Sequence, residues 1–239
     1  MTTFDAIEKL RMAEPDLPAV ILKHDDSGAG DGNAVIRISD LEPPGSASAR
    51  RRLWSRVNRL EPWYLEGLEL GFVAEARIVG DEFSSPSAQV EIRPDGMANV
   101  LSTHDQVLSD DGQVYLGCRF PADPAYAPSL GAYALAAAPA FVKRGALGRV
   151  GIDFVAARPK DGPWAICAIE INLRKTGTTH PYCVLRNLAP GKYDPDAGVY
   201  TDDTGQSKFY VASDNLVEEN WTRIPEAEVI AALRRAGIW

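Results

Sequence analysis

Two apolar segments decide the fold of this chain: GRVGIDFV at residues 148–155 and AICAIEINLRKTGTTHPY at residues 165–182. Both begin with residues typical of strands, and the turn ARPKDGPW between them predicts antiparallel pairing. Because alternate side chains of a strand share a face, Glu170 and Asn172 project together from the second strand. Asp153, on the first strand, can join them once the strands pair. The pattern therefore predicts two carboxylates and a carboxamide at neighbouring strand ends.

Carboxylate and carboxamide oxygens are hard ligands that suit Mg²⁺, and a phosphorylated molecule commonly completes the coordination of this ion. Arg174 and Lys175 follow directly and supply positive charge beside the predicted ligands. The pattern alone leaves a second interpretation open, because polar residues that alternate with isoleucine also describe an ordinary half-exposed strand.

A glycine-rich segment near the start of the chain, AVILKHDDSGAGDGNAVIRI at residues 19–38, predicts a strand, a loop and a second strand. Lys23 stands at the end of the first strand, where it would supply a point charge, and the backbone amides of the loop can approach phosphate oxygens closely. The loop is not a Walker A motif, because no Gly-Lys-Ser/Thr follows it. It is not a Rossmann fingerprint either, because it leads into a strand rather than a helix. By itself it also describes a simple hairpin turn.

Composition and charge limit the class of protein. The 239 residues are 45% apolar, enough for one large domain or two small lobes, and we expect no membrane segment and no signal peptide. The three cysteines form no Cys-x-x-Cys pair, which favours a reducing, cytoplasmic location and disfavours a zinc site. A net charge of −8 disfavours nonspecific nucleic-acid binding but allows an anionic nucleotide in a local basic pocket. We therefore expect a cytoplasmic protein with neither a nucleic-acid nor a membrane partner.

The remaining pattern predicts an α+β fold with largely antiparallel pairing. An Asp-Gly pair between the alternating runs of residues 87–104 marks a hairpin. The stretch DPDAGVYTDDTG at residues 194–205 is predicted to be a solvated loop. We expect a smaller lobe over residues 1–75 and a larger lobe over residues 76–239.

The order of these motifs resembles that of the ATP-grasp superfamily of carboxylate–amine ligases. A strand ending in lysine, a glycine-rich hairpin, a strand ending in glutamate and paired strands ending in Glu-x-Asn follow one another along the chain. Three segments, KHDDSGAGDGN, THDQVLSDDGQVYLGCRFPA and EINLRKTGTTHP, are similar to the family of the peptide ligase of pheganomycin biosynthesis. The resemblance covers most of residues 18–215. It implies an ATP-grasp fold in which two lobes with mainly antiparallel sheets enclose the nucleotide.

The resemblance also implies roles for individual residues. It assigns Asp153, Glu170 and Asn172 to Mg²⁺, and it assigns the segment EARIVGDE at residues 75–82 to adenine and ribose. Taken alone, the two glutamates of that segment favour a solvated surface turn, because exposed glutamates are common. The ATP-binding residues that the resemblance implies are Lys23, Ser27, Gly28, Ala29, Gly30, Glu75, Ile78 and Glu82.

The resembling enzymes join a carboxylate to an amine in two steps. The carboxylate first attacks ATP to give an acylphosphate and ADP, and the amine then displaces phosphate. The implied substrates are small carboxylates and amines, such as amino acids or peptides. Arg174 is the candidate for binding the acylphosphate or the substrate carboxylate. His180 is the candidate acceptor of the amine proton, although a histidine before proline also suits a structural turn.

Two interpretations of the function remain open from the sequence. The first is an ATP-dependent ligase that forms amide or peptide bonds, and the second is a nucleotide-binding regulatory or inactive subunit of a split ligase. The resembling enzymes have a further substrate lobe upstream of the position that Lys23 occupies. We therefore expect the chain to need an additional N-terminal lobe or a partner chain, which could be a second copy of itself.

Overall fold

The computed structural model describes residues 2–25, 32–109, 114–213 and 223–237. Within these residues it contains both helices and strands, and every strand pair is antiparallel. The predicted α+β class with mainly antiparallel sheets is confirmed. Among the same residues, we find no helix that combines the length and apolar character needed to cross a lipid bilayer.

The helices of the described residues are α1 Thr3–Ala13, α2 Ala47–Val57, α3 Pro62–Leu70, α4 Ala127–Lys143, α5 Thr179–Leu188 and α6 Glu226–Arg235. The strands of the first half are β1 Ala19–His24, β2 Asn33–Arg37, β3 Phe72–Ala76, β4 Glu82–Ser84, β5 Pro86–Ile92, β6 Ala98–Leu108 and β7 Tyr115–Phe120. The strands of the second half are β8 Gly148–Arg158, β9 Ala165–Asn172, β10 Gly191–Asp194, β11 Val199–Asp202, β12 Ser207–Lys208 and β13 Tyr210–Ser213.

The N-terminal part of the chain forms a three-stranded sheet in the order β2-β1-β3. Leu22 on the central strand is fully buried, and it belongs to one hydrophobic core with Ile7 of α1 and Leu53 of α2. This core also includes Ala76, so β3 ends one residue beyond the predicted lobe boundary at residue 75. The division of the chain into two lobes at that point stays a prediction.

Helix α3 is absent from the sequence-based prediction, yet it fixes the end of β1. The ring of its Tyr64 stacks on His24 with 4.1 Å between ring centroids, and His24 Nε2 lies 2.9 Å from the Tyr64 carbonyl oxygen. A Cβ atom at Gly67 would lie only 2.4 Å from His24 Cε1, so the absence of a side chain there makes room for the imidazole. Helix α3 thereby holds the residue that follows Lys23.

A larger sheet follows in the order β13-β7-β6-β5-β8-β4, and β9 pairs with β8. Helix α4 packs on β5 and β6 and buries Leu130 in one core with Val90 and Ile152. The opposite face of these strands carries polar side chains that are all less than 5% exposed, namely Ser87, Gln89, Ser102 and His104. One face of the sheet therefore supplies the core, and the other supplies buried polar groups.

Strands β8 and β9 pair as the sequence predicts. Asp153 stands opposite Glu170, and Gly151 stands opposite Asn172. The register shifts after Asp153, because Phe154 pairs with Ala168 and one residue of β9 is left over. This extra residue is a β-bulge, which sequence alternation does not reveal.

The prediction for the Asp-rich stretch at residues 194–205 was wrong. Instead of a solvated loop, it contributes to the three-stranded sheet β10-β11-β12. Tyr200 of β11 is fully buried in an aromatic cluster with Phe120 of β7. The carboxylate of Asp202 accepts a hydrogen bond from the backbone N–H of Gln206, so this aspartate shapes a turn between strands.

We expect Gly67→Ala to lower the free energy of unfolding by about 1–3 kcal/mol, because the new Cβ overlaps the His24 ring and forces repacking. The usual effect of this change within a helix has the opposite sign, about 0.5–1 kcal/mol of stabilisation. Urea denaturation measures the difference, with Glu66→Ala on the exposed side of the same helix as the control. A Gly67→Ala protein at least as stable as the original chain would contradict this packing.

Candidate metal and nucleotide site

The three predicted metal ligands meet at one place on the larger sheet. Asp153 of β8 faces Glu170 of β9, and Asn172 lies two residues further along β9. The side-chain amide of Asn172 donates a hydrogen bond of 3.0 Å to Asp153 Oδ2. Asn172 is buried whereas Glu170 is exposed, so the cluster is open to solvent on the side of Glu170.

The carboxyl group of Asp153 has a raised pKa. Its burial, followed by repulsion from the Glu170 carboxylate, raises the pKa of Asp153 to about 6. Hydrogen bonds from Asn172 and from Gln106 Nε2, the latter 3.0 Å from Asp153 Oδ1, and the positive charge of Arg174 act in the opposite direction. These partners do not cancel the cost of burying a carboxylate beside a second one.

The donor set fits a divalent cation such as Mg²⁺. The two carboxylates are hard ligands, and a cation bound by Asp153 and Glu170 would offset the repulsion that raises the Asp153 pKa. The amide of Asn172 donates to Asp153, which leaves its carboxamide oxygen as a third ligand atom. The described residues contain no cluster of three or more His, Cys, Asp or Glu side chains that could bind a metal, so a metal here depends on Asn172.

The two predicted catalytic residues follow β9. Arg174 is exposed in the turn after this strand, and its charge lowers the Asp153 pKa, so the guanidinium acts electrostatically on the carboxylate cluster. Its Nη1 atom donates a hydrogen bond of 3.2 Å to the carbonyl oxygen of Lys175. His180 is exposed in the first turn of α5. The catalytic roles of both residues stay predictions.

In the N-terminal sheet, the structure joins two residues that the sequence assigns to different parts of the nucleotide. Lys23 Nζ lies 2.7 Å from Glu75 Oε2, and both side chains remain partly exposed. The lysine on β1 and the glutamate on β3 therefore neutralise each other. The loop residues Ser27, Gly28, Ala29 and Gly30 lie outside the described residues, and their assignment to ATP stays a prediction.

The segment predicted to receive adenine and ribose runs from β3 into β4. Ile78 is half-buried between these strands, and Glu82 is the first residue of β4. The Glu82 carboxylate pairs with Arg158 of β8 at 2.5 Å, and this hydrogen-bonded pair raises the pKa of Arg158. The guanidinium of Arg158 also lies 4.4 Å from the centroid of the Trp164 ring. Glu82 is therefore held at the edge of the larger sheet.

Gln106 is a site residue that the sequence analysis missed. It belongs to STHDQVL at residues 102–108, where alternation puts Ser102, His104 and Gln106 on the same face of β6. Polar residues at every second position of a strand were the signal that could have revealed it. His104 itself is fully buried, and burial lowers its pKa to about 3. Its Nε2 atom lies 2.8 Å from the Tyr210 hydroxyl, so this histidine is a neutral interior group.

The fold is that of the ATP-grasp proteins. The smaller sheet, the larger sheet and the carboxylate strands follow one another along the chain in the order that the resemblance implies, and solved structures similar to this chain are ATP-grasp proteins. Among them is the biotin carboxylase domain of 2-oxoglutarate carboxylase from Hydrogenobacter thermophilus, solved with MgADP and bicarbonate. It has a TM-score of 0.51 and 20% identity, covering 73% of this chain and 35% of the neighbour.

Two further neighbours support the same fold. Biotin carboxylase from Campylobacter jejuni, solved as a β-γ-ATP complex, has a TM-score of 0.52 and 22% identity, covering 77% of this chain and 36% of that enzyme. N5-carboxyaminoimidazole synthetase from Staphylococcus aureus, solved with ADP, has a TM-score of 0.52 and 13% identity over 87% of this chain and 46% of that enzyme. At these identities the likeness establishes the fold alone.

A sequence relative has a higher identity to this chain than these three solved structures have. The chain is 32% identical over 171 residues to L-propargylglycine–L-glutamate ligase from Streptantibioticus cattleyicolor, a match that covers 70% of this chain and 34% of that enzyme. The chain thus spans about a third of the length of this curated relative. No protein-family model matches the sequence. The predicted resemblance to ATP-grasp carboxylate–amine ligases is confirmed.

We expect Asp153→Asn to stabilise the protein at pH 7.5 in EDTA by about 1–3 kcal/mol, since each unit of pKa shift corresponds to about 1.4 kcal/mol. The folded-state pKa is raised, so the stability that Asp153 provides below pH 4 is lost as the pH rises through about 6, and the amide avoids this loss. Thermal unfolding at pH 7.5 and pH 4 measures the effect. The advantage of the variant should shrink at pH 4.

The matched control for this experiment is Asp196→Asn, which alters an exposed carboxylate. We expect no comparable gain from it at either pH. An Asp153→Asn protein that is less stable than the original chain in EDTA at pH 7.5 would contradict the unfavourable charge that we assign to this position.

Proposed function

We propose that this chain forms the nucleotide- and metal-binding part of an ATP-dependent, ADP-forming carboxylate–amine ligase. The observation that carries the proposal is the pair of facing carboxylates, Asp153 and Glu170, on a sheet of the ATP-grasp fold. Asp153 accepts a hydrogen bond from Asn172, and the charge of Arg174 acts on it. The sequence similarity to L-propargylglycine–L-glutamate ligase supports the ligase class. The ADP and ATP complexes of the structural neighbours support the nucleotide.

Two ion pairs support a mode of nucleotide binding. Lys23 is paired with Glu75, and nucleotide phosphates would compete with that carboxylate for the lysine. Once released, Glu75 could accept a hydrogen bond from the adenine amine, while the backbone at Ile78 pairs with the ring. Glu82, aligned by Arg158, would accept hydrogen bonds from the ribose hydroxyls. Ser27, Gly28, Ala29 and Gly30 would lie over the terminal phosphates.

Asp153, Glu170 and Asn172 would hold Mg²⁺, which supplies positive charge to the transferring phosphoryl group when it is bound. Arg174, exposed beside them, would bind the substrate carboxylate through its planar guanidinium and orient it for attack on the γ-phosphate. The products of this step are an acylphosphate and ADP. The same guanidinium would then neutralise the acylphosphate while the amine attacks the acyl carbon and phosphate leaves. His180 would accept the proton that the amine loses.

The substrates are proposed to be small, of the amino-acid class. The sequence relative is, by its name, a ligase of two amino acids, and the chain covers only about a third of that enzyme. The exposure of Glu170 and Arg174 leaves the acceptor side of the cluster open. This openness supports completion of the substrate site by a further lobe or by a partner chain, which includes a second copy of this chain. We place the protein in the cytoplasm.

We expect millimolar Mg·ATP to raise the melting temperature, because a ligand at 100 times its Kd stabilises the folded state by about 2.7 kcal/mol. Lys23→Ala should reduce the shift by removing a phosphate contact, and Glu170→Gln should reduce the part of it that needs Mg²⁺. Differential scanning fluorimetry with ATP or ADP, with and without Mg²⁺, measures these effects.

Lys9→Ala, which removes an exposed lysine of α1, is the control and should retain the full shift. If neither ATP nor ADP changes the melting temperature of the original chain, the proposed assignment of the nucleotide site is wrong. Mass spectrometry of the products with an amino-acid mixture separates the two classes of function. Amide formation with ADP release indicates a ligase, and nucleotide binding without amide indicates a binding subunit.

A further inference from the structure

The turn between β9 and α5, residues 173–178, is anchored at its centre to the middle of the larger sheet. Thr176 Oγ1 donates a hydrogen bond of 3.1 Å to Gln89 Oε1 on β5, and it also lies 2.9 Å from Thr178 Oγ1. The Thr176 N–H donates to Thr179 Oγ1 over 3.1 Å, and Thr178 and Thr179 are both buried. The hydrogen bonds of three nearby threonines therefore hold the turn against the sheet, so that it does not extend into solvent. These threonines are Thr176, Thr178 and Thr179.

Two glycines make this close approach possible. A Cβ atom on Gly151 of β8 would lie 2.5 Å from Thr176 Cγ2, so the threonine methyl occupies the space that any other residue at position 151 would fill. A Cβ atom on Gly177 would lie 3.0 Å from the ring of Tyr115 on β7, so the next residue of the turn contacts another strand. The turn crosses the polar face from β9 over β8 towards β7.

Gln89 is an unusual residue for the position that it occupies. It is 3% exposed in the middle of β5, between Gly151 on one side and Ser102 on the other. Within the described residues, its Nε2 atom is buried and has no hydrogen-bond partner. An unsatisfied buried donor has a cost in folding free energy, and an apolar side chain of the same volume would avoid that cost. The hydrogen bond to Thr176 is the contact that an apolar side chain could not make.

Hydrogen bonds to the sheet hold the chain on both sides of Arg174. Two residues before it, Asn172 is tied to Asp153 by a hydrogen bond, and two residues after it, Thr176 is tied to Gln89. Arg174 lies at the exposed apex between these two attachments. A guanidinium carried on a backbone that is fixed at both ends loses less conformational entropy when it binds an anion.

We propose that Gln89 is a positioning residue, which acts through Thr176 to hold Arg174 beside the Asp153–Glu170 carboxylates as a pre-organised site for a phosphate or carboxylate group. This inference deepens the proposed function and rests on it. Gln89 touches neither nucleotide nor substrate in this account. Gln89 affects only the position of Arg174. Loss of the Gln89 hydrogen bond should therefore weaken anion binding and leave nucleotide binding unchanged.

The test uses the full chain, with inorganic phosphate as the anion probe in the presence of saturating Mg·ADP. Gln89→Met keeps the volume and removes the hydrogen bond, and Thr176→Val removes the same bond from the other side. We expect each to raise the phosphate Kd about five- to tenfold, as the loss of one hydrogen bond does, and to change the Mg·ADP Kd less than twofold. The double variant should bind phosphate no more weakly than either single variant. Isothermal titration calorimetry measures both constants.

Two controls separate positioning from general damage to the core. Ser102→Ala removes an equally buried polar group that faces Gln89 across the strands and should leave both constants unchanged. Thr176→Ser keeps the hydroxyl and should bind phosphate like the original chain. Hydrogen exchange of the amides of residues 174–179 should accelerate in Gln89→Met and not in Ser102→Ala. If Gln89→Met fails to fold, Thr176→Val carries the same comparison.

The outcomes distinguish this inference from the function on which it rests. If the original chain does not bind Mg·ADP, the proposed function fails before any variant is made. If it binds Mg·ADP but not phosphate, the inference alone is overturned. An unchanged phosphate Kd in both Gln89→Met and Thr176→Val, or an equal loss in Ser102→Ala, also overturns it.

Discussion

The site depends on one unfavourable contact, the antiparallel register that sets Asp153 opposite Glu170. Cross-strand neighbours lie close enough for like charges to destabilise the pair, and burial of Asp153 adds to the cost. The surrounding donors, Asn172 and Gln106, and the nearby guanidinium of Arg174 offset part of this cost. What remains is a local excess of negative charge that a divalent cation would neutralise. In the proposed function, this electrostatic cost therefore lies at the position where the metal would bind.

The residues that we propose to bind the nucleotide are organised in the opposite way. Lys23 and Glu75 neutralise each other on the smaller sheet, and Glu82 and Arg158 do so on the larger one. Partly exposed ion pairs of this kind contribute little to stability, so exchanging one partner for a phosphate or a ribose hydroxyl has a small cost.

The parts of the fold that local pattern determines could be predicted from the sequence. Alternation and the intervening turn predicted β8 and β9, and with them the convergence of Asp153, Glu170 and Asn172. Helix α3 was missed because its role appears only in the tertiary packing of Tyr64 and Gly67 on His24, which no local pattern encodes. The sheet β10-β11-β12 was missed because aspartates that form turns look like the composition of a solvated loop.

The site was predictable to a similar extent. Its charged residues lie in or directly after apolar strands and are visible in the sequence, although Asp153 lies in the middle of β8 and not at its end as predicted. Gln106 and Gln89 reach the site across a neighbouring strand, so their roles follow from sheet order and not from spacing along the chain. The ion pairs of Lys23 and of Glu82 likewise join strands that are distant in sequence. The sequence contains several possible partners for these residues, and only the structure shows which residues form the ion pairs.

The central claim is that the facing carboxylates form the cation site of a bound nucleotide. Electron paramagnetic resonance of Mn²⁺, titrated into the protein with saturating ADP, measures this directly because only free Mn²⁺ gives a strong signal. The account predicts one tightly held Mn²⁺ per chain that requires ADP, and a loss of at least tenfold in its affinity in Glu170→Gln, since this variant removes one of two charged ligands. Equal affinity for Mn²⁺ in the original chain and in Glu170→Gln would contradict it.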